Sequence, residues 1–371
     1  CLALIDMGYT IELYAWDRDS SYIGSPIEVL GDLLINRFST NSNYGSGLKQ
    51  IWDYIKFINF IRKKSKSKNH RITYAHDLDG LFASYLSTIF QKKSNRPKII
   101  YDSHEFEVER AFRRGRFQKK LIYLLEKFLI KKADLVIMVN DSIANEVQAL
   151  YKLEKKPLVI RNTPHHWTLD HEISKEIRNE FLNNLNMSKE TFLVMYHGGI
   201  SNNRGINKLL EAASKVENVG VIILGYGDQK VIETLKKLAH ELSIEGRVLF
   251  HDAVLYDELW KYVSAVDVGV SLAPNINQNH YYMLPNKLFE NIQSMTPIIA
   301  SDFPEIKKIV QGYDIGLLVD PENIDEIADA IKQMMNDTKK YAHFKANLIQ
   351  AKEELHWDHE KKKLEMINQL V

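Results

Sequence analysis

The chain is 371 residues long, 45% apolar and 26% charged, with a formal net charge of +1 and one cysteine. That length allows two domains with separate cores, and the composition is that of an ordinary soluble globular protein. A single cysteine, Cys1, excludes an internal disulfide and fits a reducing compartment; no run approaches the roughly 18 apolar residues of a membrane-spanning helix, and no His/Cys cluster has the sequence spacing of a zinc site.

The near-neutral total hides an asymmetry. Residues 1–163 hold 27 basic against 18 acidic side chains, and the remainder hold 22 against 30. A basic half beside an acidic half predicts that the first domain faces something anionic.

Along the chain, 2–8 reads as the end of a helix and 10–15 as a strand. An α/β domain opens on a strand and a turn before its first helix, so both are expected to be missing here. Further strands are expected at 72–75, 98–101, 135–139 and 158–160, then at 192–196, 219–224, 248–250, 268–271, 297–300 and 316–319. Amphipathic helical stretches separate them, which predicts an α/β fold of parallel sheets with right-handed crossovers. Eleven strands are better divided over two sheets than held in one. The boundary is expected near Arg161-Asn-Thr-Pro164, giving domains 1–163 and 164–350. A charged, helical tail follows from about residue 337, with Trp357 as its expected anchor.

The first candidate chemistry lies at strand ends. Ala75-His-Asp-Leu-Asp79 and Ile99-Ile-Tyr-Asp-Ser-His-Glu105 place carboxylates and imidazoles past the carboxyl ends of two strands. They suit acid/base work or contacts to sugar hydroxyls. Helix capping accounts equally well for Asp77, Asp79 and Ser103, whereas His104 fits a functional role better. From Arg110 to Lys132 the pattern is a basic amphipathic helix, which suits an anionic membrane surface as well as it suits a core helix with a solvated face. Ile61-Arg-Lys-Lys-Ser-Lys-Ser-Lys68 adds a second basic tract. Neither carries a base-reading module, so nucleic acid is not an expected partner.

In the second half, Tyr196-His-Gly-Gly-Ile-Ser-Asn-Asn-Arg-Gly205 joins a strand to a helix. Two glycines let a ligand approach the backbone, and Arg204 supplies a charged donor. Leu224-Gly-Tyr-Gly-Asp228 is a second glycine turn, and Phe250-His-Asp-Ala-Val254 ends a third strand. Finally, Tyr281-Tyr-Met-Leu-Pro-Asn-Lys-Leu-Phe-Glu290 breaks into a helix at Asn286, with Glu290 a turn inside. Its free N–H groups and positive dipole end suit a diphosphate. Ligands of open α/β sheets bind outside the carboxyl ends of the strands, so these four segments converge on one crevice.

The order and spacing of these blocks, with Val159-Ile-Arg-Asn-Thr163 and Ala300–Glu305, resemble the retaining, nucleotide-sugar-dependent glycosyltransferases of family four. The resemblance covers nearly the whole chain. It implies a GT-B architecture: two Rossmann-like domains facing a central cleft, with residues 351–371 crossing back to the first domain. The second domain would bind the nucleotide sugar and the first a sugar or lipid-linked acceptor. Carried over by position, His104 and Glu290 would be catalytic. Gly198, Gly199, Arg204, Gly225, Val254, Leu284, Pro285, Asn286, Lys287 and Glu290 would hold the donor, with no cofactor and no metal. Such an enzyme would be cytoplasmic, peripheral on the inner membrane face, and act in cell-surface polysaccharide or glycolipid synthesis. Two family positions differ: Tyr282 stands in place of the first of two glutamates, and Gly199 in place of an arginine. A nucleotide-sugar epimerase and a non-catalytic sugar-nucleotide-binding protein are the competing classes.

Overall fold

A computed structural model describes residues 1–40, 48–65, 70–89, 91–92, 95–110 and 115–370. It divides into two units. The first comprises Cys1–Met138, Ala144–Val159 and Lys361–Val371, and the second Val139–Ile143 and Ile160–Glu360.

In the first unit the strands are β1 (Ile11–Asp17), β2 (Ile27–Leu30), β3 (Leu33–Ser39), β4 (Ile72–His76), β5 (Lys98–Ser103), β6 (Leu135–Met138) and β7 (Leu158–Val159). They form two sheets, ordered β1-β3-β2 and β4-β5-β6-β7. All pairs are parallel except β2 with β3. Both members of that antiparallel pair are additions to the strands expected from sequence. Their signal was Gly31-Asp32, a two-residue turn between two apolar runs, with Gly31 in the left-handed region at φ 58°. Beside the first sheet, the helix Leu48–Ser65 carries Tyr54, Phe57 and Phe60 onto Trp16 and Phe38.

The helix Arg116–Ile130 is anchored along one edge. Its buried Glu126 accepts from Tyr101 Oη at 2.9 Å and from Tyr151 Oη at 2.7 Å, beside buried Leu129 and Ile130. Burial pushes the Glu126 carboxyl upward. Of the helix expected over 110–132, the structure gives Arg116–Ile130, with Glu107–Arg110 a separate short helix; residues 111–114 lie outside the described part, as do 66–68 of the second basic tract.

The second unit holds one six-stranded parallel sheet. Its strands are β8 (Phe192–His197), β9 (Val219–Leu224), β10 (Val248–His251), β11 (Val268–Ser271), β12 (Ile298–Ser301) and β13 (Gly316–Val319), in the order β10-β9-β8-β11-β12-β13. Numbered from β8, that is the doubly wound order 3-2-1-4-5-6, whose direction reverses between β8 and β11. Strand β8 is buried on both faces. Val194 and Tyr196 join one core with Leu209, Leu210, Ile327 and Ile331, while Leu193 and Met195 join another with Phe181, Leu182 and Val263.

The tail is helical over Thr338–Glu354 and Trp357–Glu360, then a 3-10 helix over Lys361–Leu370. Its buried anchors are Phe344, Leu348, Ala351, Leu355, Leu364 and Ile367; Trp357, expected to fill that role, is only half-buried. Phe344, Leu348, Ala351 and Leu355 recur at the spacing of one helix face, which turns them to the core.

Candidate functional site

The reversal point of the second sheet gathers the predicted segments. Past β8, Gly198 has φ 112°, and its N–H donates to Leu224 O. Past β9, Gly225 has φ 154° and lies so close that a Cβ there would meet Gly198 O at 2.0 Å. A Cβ on Gly227 would meet Ile200 O at 2.3 Å, and Ile200 N donates to Tyr226 O. The two turns are therefore packed backbone on backbone, which side chains would prevent. Gly199 has open space around it. Its carbonyl accepts from Tyr196 Oη at 2.6 Å.

Arg204 ends a short 3-10 turn, followed by Gly205 at φ 72° and the helix Ile206–Ser214. A Cβ on Gly205 would fall 1.9 Å from Leu272 O, just beyond β11. This close approach seats the arginine beside the reversal point.

The helix Asn286–Gln293 begins after Pro285 without a side-chain cap, so its first N–H groups stay open to a ligand. Lys287 lies with Nζ 3.7 Å from the centre of the Tyr196 ring. The residue is half-buried. Desolvation of its ammonium, with repulsion from Arg204, lowers its pKa to about 7 against the opposing pull of Glu290. Burial of Tyr196 raises its hydroxyl to about 12.

Glu290 is buried one turn into this helix, and its Oε2 accepts from His197 Nε2 at 2.9 Å. A carboxylate only accepts, so the proton of the neutral ring belongs on Nε2. That leaves Nδ1, which is buried and without a partner. His197 is the residue missed from sequence. From sequence it reads as the start of the glycine turn after the strand; the structure makes it the last residue of β8 and the partner of Glu290. Val254 and Leu284 pack as partly buried apolar residues at the edges of two cores. Tyr256 lies in the field of Glu290, which with burial raises its hydroxyl, and its ring packs edge-on to Trp167 at 5.9 Å.

Tyr282, in the place of the family's first glutamate, is held through its carbonyl, which accepts from Asn140 Nδ2 at 2.7 Å. Glu305 is also buried, and there its Oε1 accepts from Ser142 N at 3.0 Å and Ser142 Oγ at 2.6 Å. Both contacts lie within the second unit, to which 139–143 belong.

His104 belongs to the first unit. Its Nε2 is 3.2 Å from His76 Nδ1, and Asp102 Oδ2 lies 3.8 Å from His76 and 3.9 Å from His104. Asp77 opens the next helix. It sits at φ 55° and its Oδ1 accepts from His104 N at 3.1 Å. Burial lowers the pKa of His76 against the pull of Asp102. Sequence spacing alone offered no metal-ligand cluster, yet His76, Asp102 and His104 bring three potential ligand atoms within 4.8 Å of one another. The cause is sheet register: His76 and Asp102 are direct partners on adjacent parallel strands.

Comparison with known proteins extends this geometry. Residues 177–351 match the family described as glycosyl transferases group 1. An uncharacterised glycosyltransferase of Methanocaldococcus jannaschii is 25% identical over 246 residues, 65% of this chain and 61% of that protein. The chain thus spans less than two thirds of that relative's length. Among solved structures, sucrose-phosphate synthase of Thermosynechococcus elongatus superposes with a TM-score of 0.81 at 16% identity, covering 99% of this chain and 90% of that one. HepE of Anabaena, in complex with UDP-glucose, gives a TM-score of 0.70 at 18% identity, covering 90% and 86%. Residues 177–351 thus match a glycosyltransferase family model, and the chain has the α/β fold of the solved GT-B glycosyltransferases.

Proposed function

We propose that this chain is a retaining, metal-independent hexosyltransferase that moves a sugar from a nucleotide-diphosphate donor to a sugar or lipid-linked acceptor. The observation that carries the reading is the pairing, at one sheet's reversal point, of an uncapped helix start bearing Lys287 with Arg204 and the buried Glu290. The two cations and the helix end would stabilise charge developing on the leaving diphosphate. His197 holds Glu290 Oε2 in place, so the other carboxylate oxygen, Oε1, would be the one to accept from ribose hydroxyls. His104 is read as the residue serving the sugar. The solved relative bound to UDP-glucose supports a nucleotide-sugar donor.

A thermal-shift screen of UDP-, GDP- and ADP-sugars is expected to select one donor. Arg204→Ala should then cut transfer from it about a hundredfold or more, as loss of a charge-stabilising donor does, and Glu290→Ala should do likewise. Unchanged rates in both variants would overturn the assignment. Conversion of sugar isomers without acceptor would point to an epimerase instead.

The reading includes an anionic membrane surface at the cytoplasmic face, with a role in cell-surface polysaccharide or glycolipid synthesis. Phe117, Leu121, Leu124 and Phe128 are exposed at helical spacing, with Arg116, Lys119, Lys120, Lys127, Lys131 and Lys132 around them. Among the described residues no helix is long and apolar enough to cross a membrane. Cosedimentation with vesicles containing anionic lipid is expected, and Leu121→Glu with Leu124→Glu should abolish it.

A further inference from the structure

We infer that His76 is a positioning residue for His104: its Nδ1 accepts the His104 Nε2–H, which leaves Nδ1 of His104 as a hydrogen-bond acceptor for the sugar. That role rests on the reading of His104 as the residue serving the sugar, and it adds a residue that the reading does not use. The observation that carries it is the 3.2 Å between His76 Nδ1 and His104 Nε2, a hydrogen-bond distance. A neutral imidazole carries one ring N–H, so one proton occupies that contact. Two protons there would repel, and none would leave two lone pairs face to face. The tautomer of one ring therefore dictates that of the other. With His104 as donor, both rings hold their proton on Nε2, the tautomer that neutral histidine favours in water. The reverse arrangement would put both rings in the less favoured form. Burial lowers the pKa of His76, which keeps that ring neutral near pH 7.

The surroundings keep the two rings in contact. They stack with centres 5.5 Å apart and 30° between their planes, and the Tyr74 ring packs on His76 at 5.0 Å. Tyr74 Oη donates to Asp102 Oδ2 at 2.8 Å, and that oxygen lies 3.8 Å from His76 Nδ1 and 3.9 Å from His104 Nε2. At that range the carboxylate bonds to neither nitrogen, while its charge favours a proton held between them. Asp77 Oδ1 accepts from the His104 backbone N–H, and strand register sets His76 opposite Asp102. A flip of the His104 ring would give up its bond to His76. The His104 side chain is 43% exposed, so a ligand can reach the ring.

The test reads the ring first and the reaction second. Nitrogen-15 NMR of the full chain with labelled histidine, with His104→Ala identifying the His104 signals, is expected to show Nε2 protonated and Nδ1 bare. In His76→Ala, His104 should become a mixture of tautomers. His76→Asn should restore the wild-type pattern, because its Oδ1 stands where the imidazole Nδ1 stood and can accept. His76→Gln, whose amide reaches past that point, should not. In transfer from the donor selected by thermal shift, His76→Ala should lower kcat between about tenfold and a hundredfold. Donor KM, set in this reading chiefly by the nucleotide, should change little, and His76→Asn should recover most of the rate. Circular dichroism identifies any variant that fails to fold. Wild-type His104 protonated on Nδ1 overturns the inference, as does an unchanged His104 tautomer or an unchanged kcat in the folded His76→Ala variant. A wild-type chain that transfers no sugar overturns the transferase reading instead, and the NMR comparison then still decides whether His76 sets the His104 ring.

Discussion

The two polar clusters of this chain are fixed by different means. In the second unit the frame is main chain against main chain: Gly205 on Leu272 O, Gly225 on Gly198 O, Gly227 on Ile200 O. In the first unit the frame is made by side chains, Tyr74 bonding the Asp102 carboxylate and the Asp77 carboxylate bonding the His104 backbone N–H. A frame of backbone contacts has no rotamers to lose and tolerates no added carbon. One made of partly buried side chains is adjustable and depends on each hydrogen bond being present.

That difference is open to attack, and the largest effect should come from Gly205→Ala. The new carbon has no room and φ 72° disfavours any side chain. A loss of about 3 kcal/mol is expected, read as a lower denaturant midpoint with a weakened donor-induced thermal shift. A stability within error of wild type would break the contrast at its strongest point.

Next in size is the pH response of Lys287. With its pKa lowered to about 7, the ammonium is largely neutral above that pH in the free protein. A diphosphate favours the charged form, so binding should take up close to one proton near pH 8, and affinity should fall as pH rises through 7. Titrations in buffers of different ionisation enthalpy measure this uptake, and Lys287→Met should abolish it. The sign for folding is opposite. The unfolded chain binds the proton up to the ordinary lysine range while the folded chain has lost it, so this group makes stability rise with pH between about 7 and the ordinary lysine value.

The smallest effect belongs to the first unit. Tyr74→Phe removes one hydrogen bond from Asp102, at a cost of about 1 kcal/mol. It should leave the stability of the second unit unchanged and alter the imidazole titration of His76 seen by NMR. A destabilised second unit would contradict the contrast drawn between the two frames.

The sequence was most legible where the backbone carries the site. Glycine pairs after apolar strands and Pro285 before a helix state local geometry directly, so Gly198, Gly225 and the helix at Asn286 could be placed from residue type. Partners chosen by folding were not legible. His197 meets Glu290 across 93 positions, and nothing local to either marks the pair. The His76, Asp102 and His104 group depends on a strand register that spacing does not reveal. The β2–β3 hairpin was missed for another reason. Ile27, Val29 and Leu30 are exposed on an edge strand, so the run lacks the apolar-in, polar-out alternation that announces a strand.

The interlocked glycine turns also divide the second unit into parts that engineering can and cannot rewrite. Positions 205, 225 and 227 admit a one-letter alphabet, because any other letter displaces a neighbouring carbonyl. Diversity introduced there would be lost to misfolding before it could be screened. The exposed side chains of Tyr226, Leu255 and Tyr256 stand on that frame. A library confined to those three would vary the rim while every member inherits the same anvil beneath it.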